Sequence, residues 1–266
     1  MENIINNITK LPHSFAIEGR VGAGKHLLAD EINNKFFNVP YLDITDILNE
    51  ETISNIYTYP QKRLYLIDIS KITQKEQNKL LKFLEEPYEN SYICLLITNK
   101  YNLISTIRNR VIIYKINKYI KQELIDFAYK NNIEIDDKYF NTIIFTPGDI
   151  LKLNVNNINI IKIEELCSKI IDKIKDASFP NTLSIIDKLN FKDEYDKIDL
   201  DFFLRDLYYQ YTNKYIETRD NLYQECLFII SITINNFNMN NKIDKKKIIS
   251  NMLIDLWRKN HEIKKS

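Results

Sequence analysis

The sequence predicts an α/β domain built on a five-stranded parallel sheet, followed by a region made of helices alone. Three observations carry that prediction. Short apolar runs alternate with helical patterns over the first 116 residues, as expected where parallel strands are joined by crossover helices. Three of the four glycines, Gly19, Gly22 and Gly24, fall within six residues, between an apolar run and a helical pattern. From about Ile158 the apolar residues recur at three- and four-residue steps, the period of helices with one buried face.

The elements follow in order. Met1 to Thr9 is polar and rich in Asn and has no apolar run of the kind a secretory signal needs. Predicted strands are Ser14 to Glu18, Val39 to Ile44, Arg63 to Asp68, Tyr92 to Thr98 and Val111 to Ile116. Lys25 to Phe37 reads as a helix with Leu28, Ile32 and Phe36 on one face. Gln74 to Glu86 is better marked. Thr73 and Glu76 have the spacing of a capping box, Leu80, Leu81, Phe83 and Leu84 give the apolar face, and Pro87 ends it. Residues 1–116 thus form the first predicted domain.

Beyond Asn117 the strand signal fades. Ile120 to Asn131 and Asp136 to Phe145 read as helices, then comes the turn Thr146-Pro147-Gly148-Asp149 and a short helix from Asp149 to Leu153. We read residues 117–157 as a small helical domain and 158–266 as a third domain. Its stripes are Leu200, Phe203, Leu204, Leu207, Tyr208, Tyr211 and Tyr215, then Leu222, Cys226, Ile230, Thr233 and Phe237, then Ile249, Met252, Leu253, Leu256 and Trp257. Such stripes are the buried faces of a helical bundle. Asn235 to Asn241 reads as the turn between the last two, and the Lys245-Lys246-Lys247 run as a solvated helix start.

Composition narrows the function. With 37 Lys+Arg against 36 Asp+Glu, the chain cannot coat nucleic acid by bulk charge. At 44% hydrophobic it is not a disordered chain, and no apolar run reaches the roughly 18 residues of a membrane span. Cys94, Cys167 and Cys226 lie far apart with no zinc spacing. The expectation is a cytoplasmic protein without zinc.

The glycines belong to Gly19-Arg20-Val21-Gly22-Ala23-Gly24-Lys25-His26, a phosphate-loop pattern with His26 where Ser or Thr belongs. Glycines let backbone N–H groups curl round phosphate oxygens, and Lys25 reaches the outer phosphates. The eighth position normally gives Mg²⁺ a hydroxyl, and imidazole replaces that hard oxygen badly. The partner motif should be an apolar strand ending in Asp and then Glu. Here Leu64 to Ile67 lead to Asp68, but Ile69 and Ser70 follow. A loop lacking both the metal hydroxyl and the water-activating carboxylate should not hydrolyse ATP usefully. The pattern fits weak binding of ATP or ADP and equally fits none, and it requires no cofactor and no metal.

The stretch Asn78-Lys79-Leu80-Leu81-Lys82-Phe83-Leu84-Glu85-Glu86-Pro87, then Leu95 to Asn99, then Leu103-Ile104-Ser105-Thr106-Ile107-Arg108-Asn109-Arg110 resembles the AAA+ clamp-loader subunits of bacterial DNA polymerase III. His13 to Gly19 is similar to the segment before the family's phosphate loop. Thr146-Pro147-Gly148 is similar to a Ser-Pro-Gly turn in the lid of its delta-prime subunits. The resemblance implies an AAA+ α/β domain, a helical lid at 117–157 and an all-α collar at 158–266. It implies a subunit with degraded nucleotide motifs that forms the rigid end of a five-subunit ring. The ring contains gamma/tau motor subunits and a delta subunit and closes a sliding clamp round primed DNA. It also implies that Arg110, in Asn109-Arg110-Val111 where the family has Ser-Arg-Cys, serves the ATP site of a neighbouring subunit. Arg110 as a helix end that answers the helix dipole is the plainer alternative. Thr98 or Asn99 stands either at the γ-phosphate-sensing position or as a strand cap. The helix that Asp149 begins holds no arginine, so no lid sensor is assigned, and His13 should bond locally. Two other functions remain: an ATP-hydrolysing motor subunit of the same complex, and a P-loop phosphotransferase.

Overall fold

The computed structural model describes residues 2–176, 198–239 and 244–262. By their contacts the residues fall into two units, Met1–Tyr119 with Thr146–Gly148, and Ile120–Phe145 with Asp149–Ser266. A separate lid and collar, divided at residue 157, remain our proposal.

The first unit contains α1 (Glu2–Asn7), β1 (Ser14–Glu18), α2 (Lys25–Phe36), β2 (Leu42–Asp43), α3 (Glu50–Thr58) and β3 (Arg63–Asp68). It continues with α4 (Gln74–Lys79), α5 (Leu81–Glu85), β4 (Ser91–Ile97), α6 (Ser105–Arg108) and β5 (Ile112–Lys115). The strands form one parallel sheet in the order β2-β3-β4-β1-β5, with Phe15 beside Cys94 and Ile112, and Leu66 beside Cys94. Side chains alternate across it. Phe15, Ile17, Leu64, Leu66, Cys94 and Leu96 pack on Leu28, Ala29 and Ile32 of α2. Ala16, Tyr65, Ile67, Ile93, Leu95 and Ile97 pack on the opposite face with Leu80, Phe83 and Ile107. Burial on both faces explains why these strands read as continuous apolar runs.

The predicted helix over 74–86 is two helices that meet at Leu80. The capping box is present, with Thr73 accepting from the Glu76 N–H and Glu76 accepting from the Thr73 N–H. At Leu80 the N–H turns back to Gln77 instead of continuing the ladder, and the Gln77 side chain there bonds Asn102 and Ile104. The strand predicted over 39–44 shrinks to two residues. Pro40 has no N–H to pair, and Asp43 diverts the chain by accepting from the Thr45 N–H and hydroxyl.

The second unit contains α7 (Lys121–Lys130), α8 (Pro147–Val155) from Asp149 onward, α9 (Ile160–Asp176), α10 (Leu200–Thr218), α11 (Asn221–Met239) and α12 (Lys245–Glu262). The predicted helix over 136–145 is absent. A single 3₁₀ turn at Asp137–Tyr139 is followed by Asn141 at φ 63 and a bridge between Phe140 and Ile144. A left-handed residue cannot propagate a right-handed helix, and Asn tolerates that geometry better than most residues. Among the long helices α9 packs on α10 and α12, α10 on α11, and α11 on α12. Their buried seam includes Cys167, Ile170, Ile174, Phe203, Leu207, Tyr211, Cys226, Ile230, Met252 and Leu256. Arg205 of α10 is paired with both Asp149 of α8 and Asp201, and it also donates to the Ile143 carbonyl. The polar turn predicted at 235–241 is helical as far as Met239, and residues 240–241 lie outside the described residues. Among the described residues no helix is long and apolar enough to cross a membrane.

Candidate functional site

The phosphate loop leaves β1 at Gly19, whose N–H is held by the Ile97 carbonyl of β4, and enters α2 at Lys25. Gly22 at φ 76 and Gly24 at φ 87 supply the left-handed residues the curl demands. The loop's carbonyls all point at protein donors. Those of Gly19 and Arg20 accept from the Lys25 ammonium at 2.9 and 3.0 Å, and that of Val21 from the Thr146 hydroxyl. The Gly22 carbonyl accepts from the Gly148 N–H and the Ala23 carbonyl from the Tyr119 hydroxyl, each at 3.0 Å. The start of α2 is different: Gly24 occupies its N-cap and has no side chain to cap the first-turn N–H groups. The arrangement can still offer N–H groups and a helix N-terminus to a phosphate.

The groups that the sequence assigns to that phosphate each have protein surroundings of their own. Burial holds the Lys25 ammonium below the usual lysine range, and Asp68 opposes this only partly. Asp68 Oδ1 accepts from both the N–H and the hydroxyl of Ser70, at 3.0 and 2.7 Å, and so caps the short 3₁₀ turn after β3. Ile69, where a water-activating Glu would stand, is buried in the core. His26 is exposed on α2. Thr98 donates to Asn102, and Asn99 accepts from the Tyr101 N–H, so both stitch the turn after β4. His13 does not bond locally. Its ring pairs with the carbonyl of Ser91, far along the chain, because β1 and β4 are neighbours and the ring stacks on Tyr92.

Arg110 lies in the turn between α6 and β5. Its backbone N–H bonds the Ile107 carbonyl, and its guanidinium donates to the Thr106 carbonyl at 2.7 Å, which is the helix-end contact. The same guanidinium lies 2.8 Å from the Glu85 carboxylate at the end of α5. The side chains are 37% and 51% exposed.

Three contributions escaped the sequence. Glu85 sat inside the most specific stretch of the family resemblance, with nothing in the spacing to indicate its partner. The Gln77 amide is buried and bonds both the Asn102 carbonyl and the Ile104 N–H at 3.1 Å, a role no local pattern reveals. Thr146 to Gly148 fasten the phosphate loop, and the scarcity of glycine was a signal that Gly148 is placed for a reason. A Cβ at Gly148 would come within 2.3 Å of the Gly22 Cα.

The fold and the loop define the class: a P-loop α/β domain with a helical C-terminal region. The family described as DNA polymerase III, delta subunit, matches residues 41–119. The delta-prime subunit of DNA polymerase III from Buchnera aphidicola subsp. Schizaphis graminum is 28% identical over 107 residues, 40% of this chain and 31% of that one. Its counterpart from Buchnera aphidicola subsp. Baizongia pistaciae is 31% identical over 85 residues, 32% of this chain and 25% of that one. The chain spans under a third of the length of these relatives. Among solved structures, a gamma-subunit-related protein of DNA polymerase III from Thermotoga maritima aligns over 98% of both chains at 16% identity, with a TM-score of 0.49. The Thermotoga maritima RuvB branch-migration motor aligns over 74% of this chain and 68% of that one at 19% identity, with a TM-score of 0.43. Over these residues the chain is similar to the delta-prime subunits of DNA polymerase III, as its motifs indicated.

Proposed function

We propose that this chain is the non-hydrolysing stator subunit of a clamp loader, and that it lends Arg110 to the ATP site of a neighbouring motor subunit. The observation that carries the reading is the use of Asp68. The single acidic group left of the hydrolytic pair is committed to Ser70, beside a buried Ile69. A P-loop phosphotransferase would need that carboxylate and a metal hydroxyl at position 26, and so would a motor subunit. Arg110, in contrast, keeps an exposed guanidinium at the end of α6, where charge developing on a phosphate of an adjacent subunit could be met. ATP or ADP would bind weakly at most, through the uncapped start of α2. The partners in this reading are gamma/tau motor and delta subunits, with the sliding clamp and primed DNA engaged by the cytoplasmic complex. The helical region from about residue 158 joins the collar.

The isolated chain should show no steady ATP turnover; turnover that Lys25→Ala abolishes would overturn the stator reading. In the reconstituted complex, Arg110→Ala should assemble normally and slow clamp-stimulated hydrolysis. An arginine finger is worth about 10³ to 10⁵ in rate in GTPases, and a ring with several sites should lose less. Arg110→Lys should restore little, because a point charge does not replace the planar fork. Wild-type hydrolysis and clamp loading by the Ala complex would leave Arg110 a purely structural residue.

A further inference from the structure

We propose that Glu85 is the positioning residue for the Arg110 guanidinium, holding it in the pose offered to the neighbouring site. This rests on the reading of Arg110 as a finger acting in trans. The geometry is specific. The guanidinium has two anchors from two helices, the Thr106 carbonyl on α6 at 2.7 Å and the Glu85 carboxylate at the end of α5 at 2.8 Å. Each anchor is fixed from below. Phe83 and Leu84 bury the α5 side and Ile107 buries the α6 side, all in the same core cluster, and the Glu86 N–H closes the last turn on Lys82. Arg108, two residues earlier, goes elsewhere and lies over the ring of Tyr101 at 5.2 Å. The Glu85 contact thus selects one of two nearby arginines.

Stability does not account for the pair. Exposed ion pairs contribute little to folding, and both side chains are well exposed. Orientation accounts for it better. A free arginine has many rotamers, and ordering them on arrival at a phosphate would be lost from transition-state stabilisation. Two anchors settle that orientation in advance, while part of the five-donor fork stays open to solvent.

The test is kinetic and uses the complete clamp-loader complex reconstituted with variant chains. Clamp-stimulated ATP hydrolysis is measured against ATP concentration for Glu85→Ala, Glu85→Gln, Arg110→Ala and the Glu85→Ala/Arg110→Ala pair. Glu85→Ala should lower kcat about three- to tenfold with KM for ATP nearly unchanged, as a misplaced group does. Glu85→Gln, which keeps an acceptor oxygen, should recover part of the rate. The double variant should be no slower than Arg110→Ala alone, because the carboxylate acts only through that guanidinium. A wild-type rate for Glu85→Ala beside a slow Arg110→Ala would overturn the positioning role and leave the finger standing. Losses that multiply in the double variant would also overturn it, since Glu85 would then act by another route. Wild-type rates for both single variants would overturn the reading of Arg110 itself, and this proposal with it.

Discussion

The phosphate loop and the Arg110 corner are built in one α/β unit from the same materials, a strand end, a short turn and a helix end. They differ in where their polar groups are directed. At the loop, Lys25 bonds the loop's own carbonyls, Asp68 bonds Ser70, and Gly148 closes on Gly22. At the corner, the guanidinium is anchored on one side and exposed on the other. Polar groups bonded to one another stabilise a fold, whereas an anchored but open group presents chemistry outward.

Three substitutions break or sharpen this contrast in the isolated chain. Gly148→Ala should have the largest effect. Its Cβ would meet backbone at 2.3 Å, which no side-chain rotation relieves, and the loss should be about 3 kcal/mol in chemical denaturation. An unchanged midpoint would mean that the turn does not fasten the loop. Lys25→Met should change neutral-pH stability by about 1 kcal/mol or less, because removing a half-buried charge offsets the loss of two hydrogen bonds. Its signature is the pH dependence. Burial depresses the folded-state pKa of Lys25, so between that value and the unfolded one the unfolded chain binds more protons. Wild-type stability therefore gains from this group as pH rises through the interval, and this group adds no pH dependence below it, where Lys25 is charged in both states. The variant should lose that alkaline gain, and an identical alkaline limb would place no buried charge at Lys25. Arg110→Ala should have the smallest effect, about 0.5 kcal/mol or less, since the pair it breaks is exposed. A loss as large as that of Gly148→Ala would erase the distinction between the two regions.

Much of this was legible in the sequence. The ends of β1 and β3 follow from apolar runs cut off by Glu18-Gly19 and by Asp68, and Thr73 with Glu76 places the start of α4 to the residue. Local signals failed where the deciding contact is remote. Asp136 to Phe145 reads as a helix, yet Ile143 and Ile144 are buried beyond a left-handed Asn141. Leu80 interrupts a strongly helical stretch beside Gln77, whose side chain bonds residues 102 and 104. For the site, the loop glycines, Lys25, Asp68 and Arg110 were all singled out, but not what holds them. The Glu85 and Gly148 contacts join segments that no periodicity connects.

The three cysteines offer an unplanned convenience. Cys94, Cys167 and Cys226 are all buried, burial raises each thiol's pKa, and that of Cys226 is pushed up to about 12. Thiolates are therefore scarce at neutral pH and shielded where they form, so maleimide dyes should react slowly with the folded chain. A new thiol at an exposed position such as Tyr101 could then carry a fluorophore beside Arg108 with the native cysteines left in place, reporting on the Arg110 corner of the folded chain.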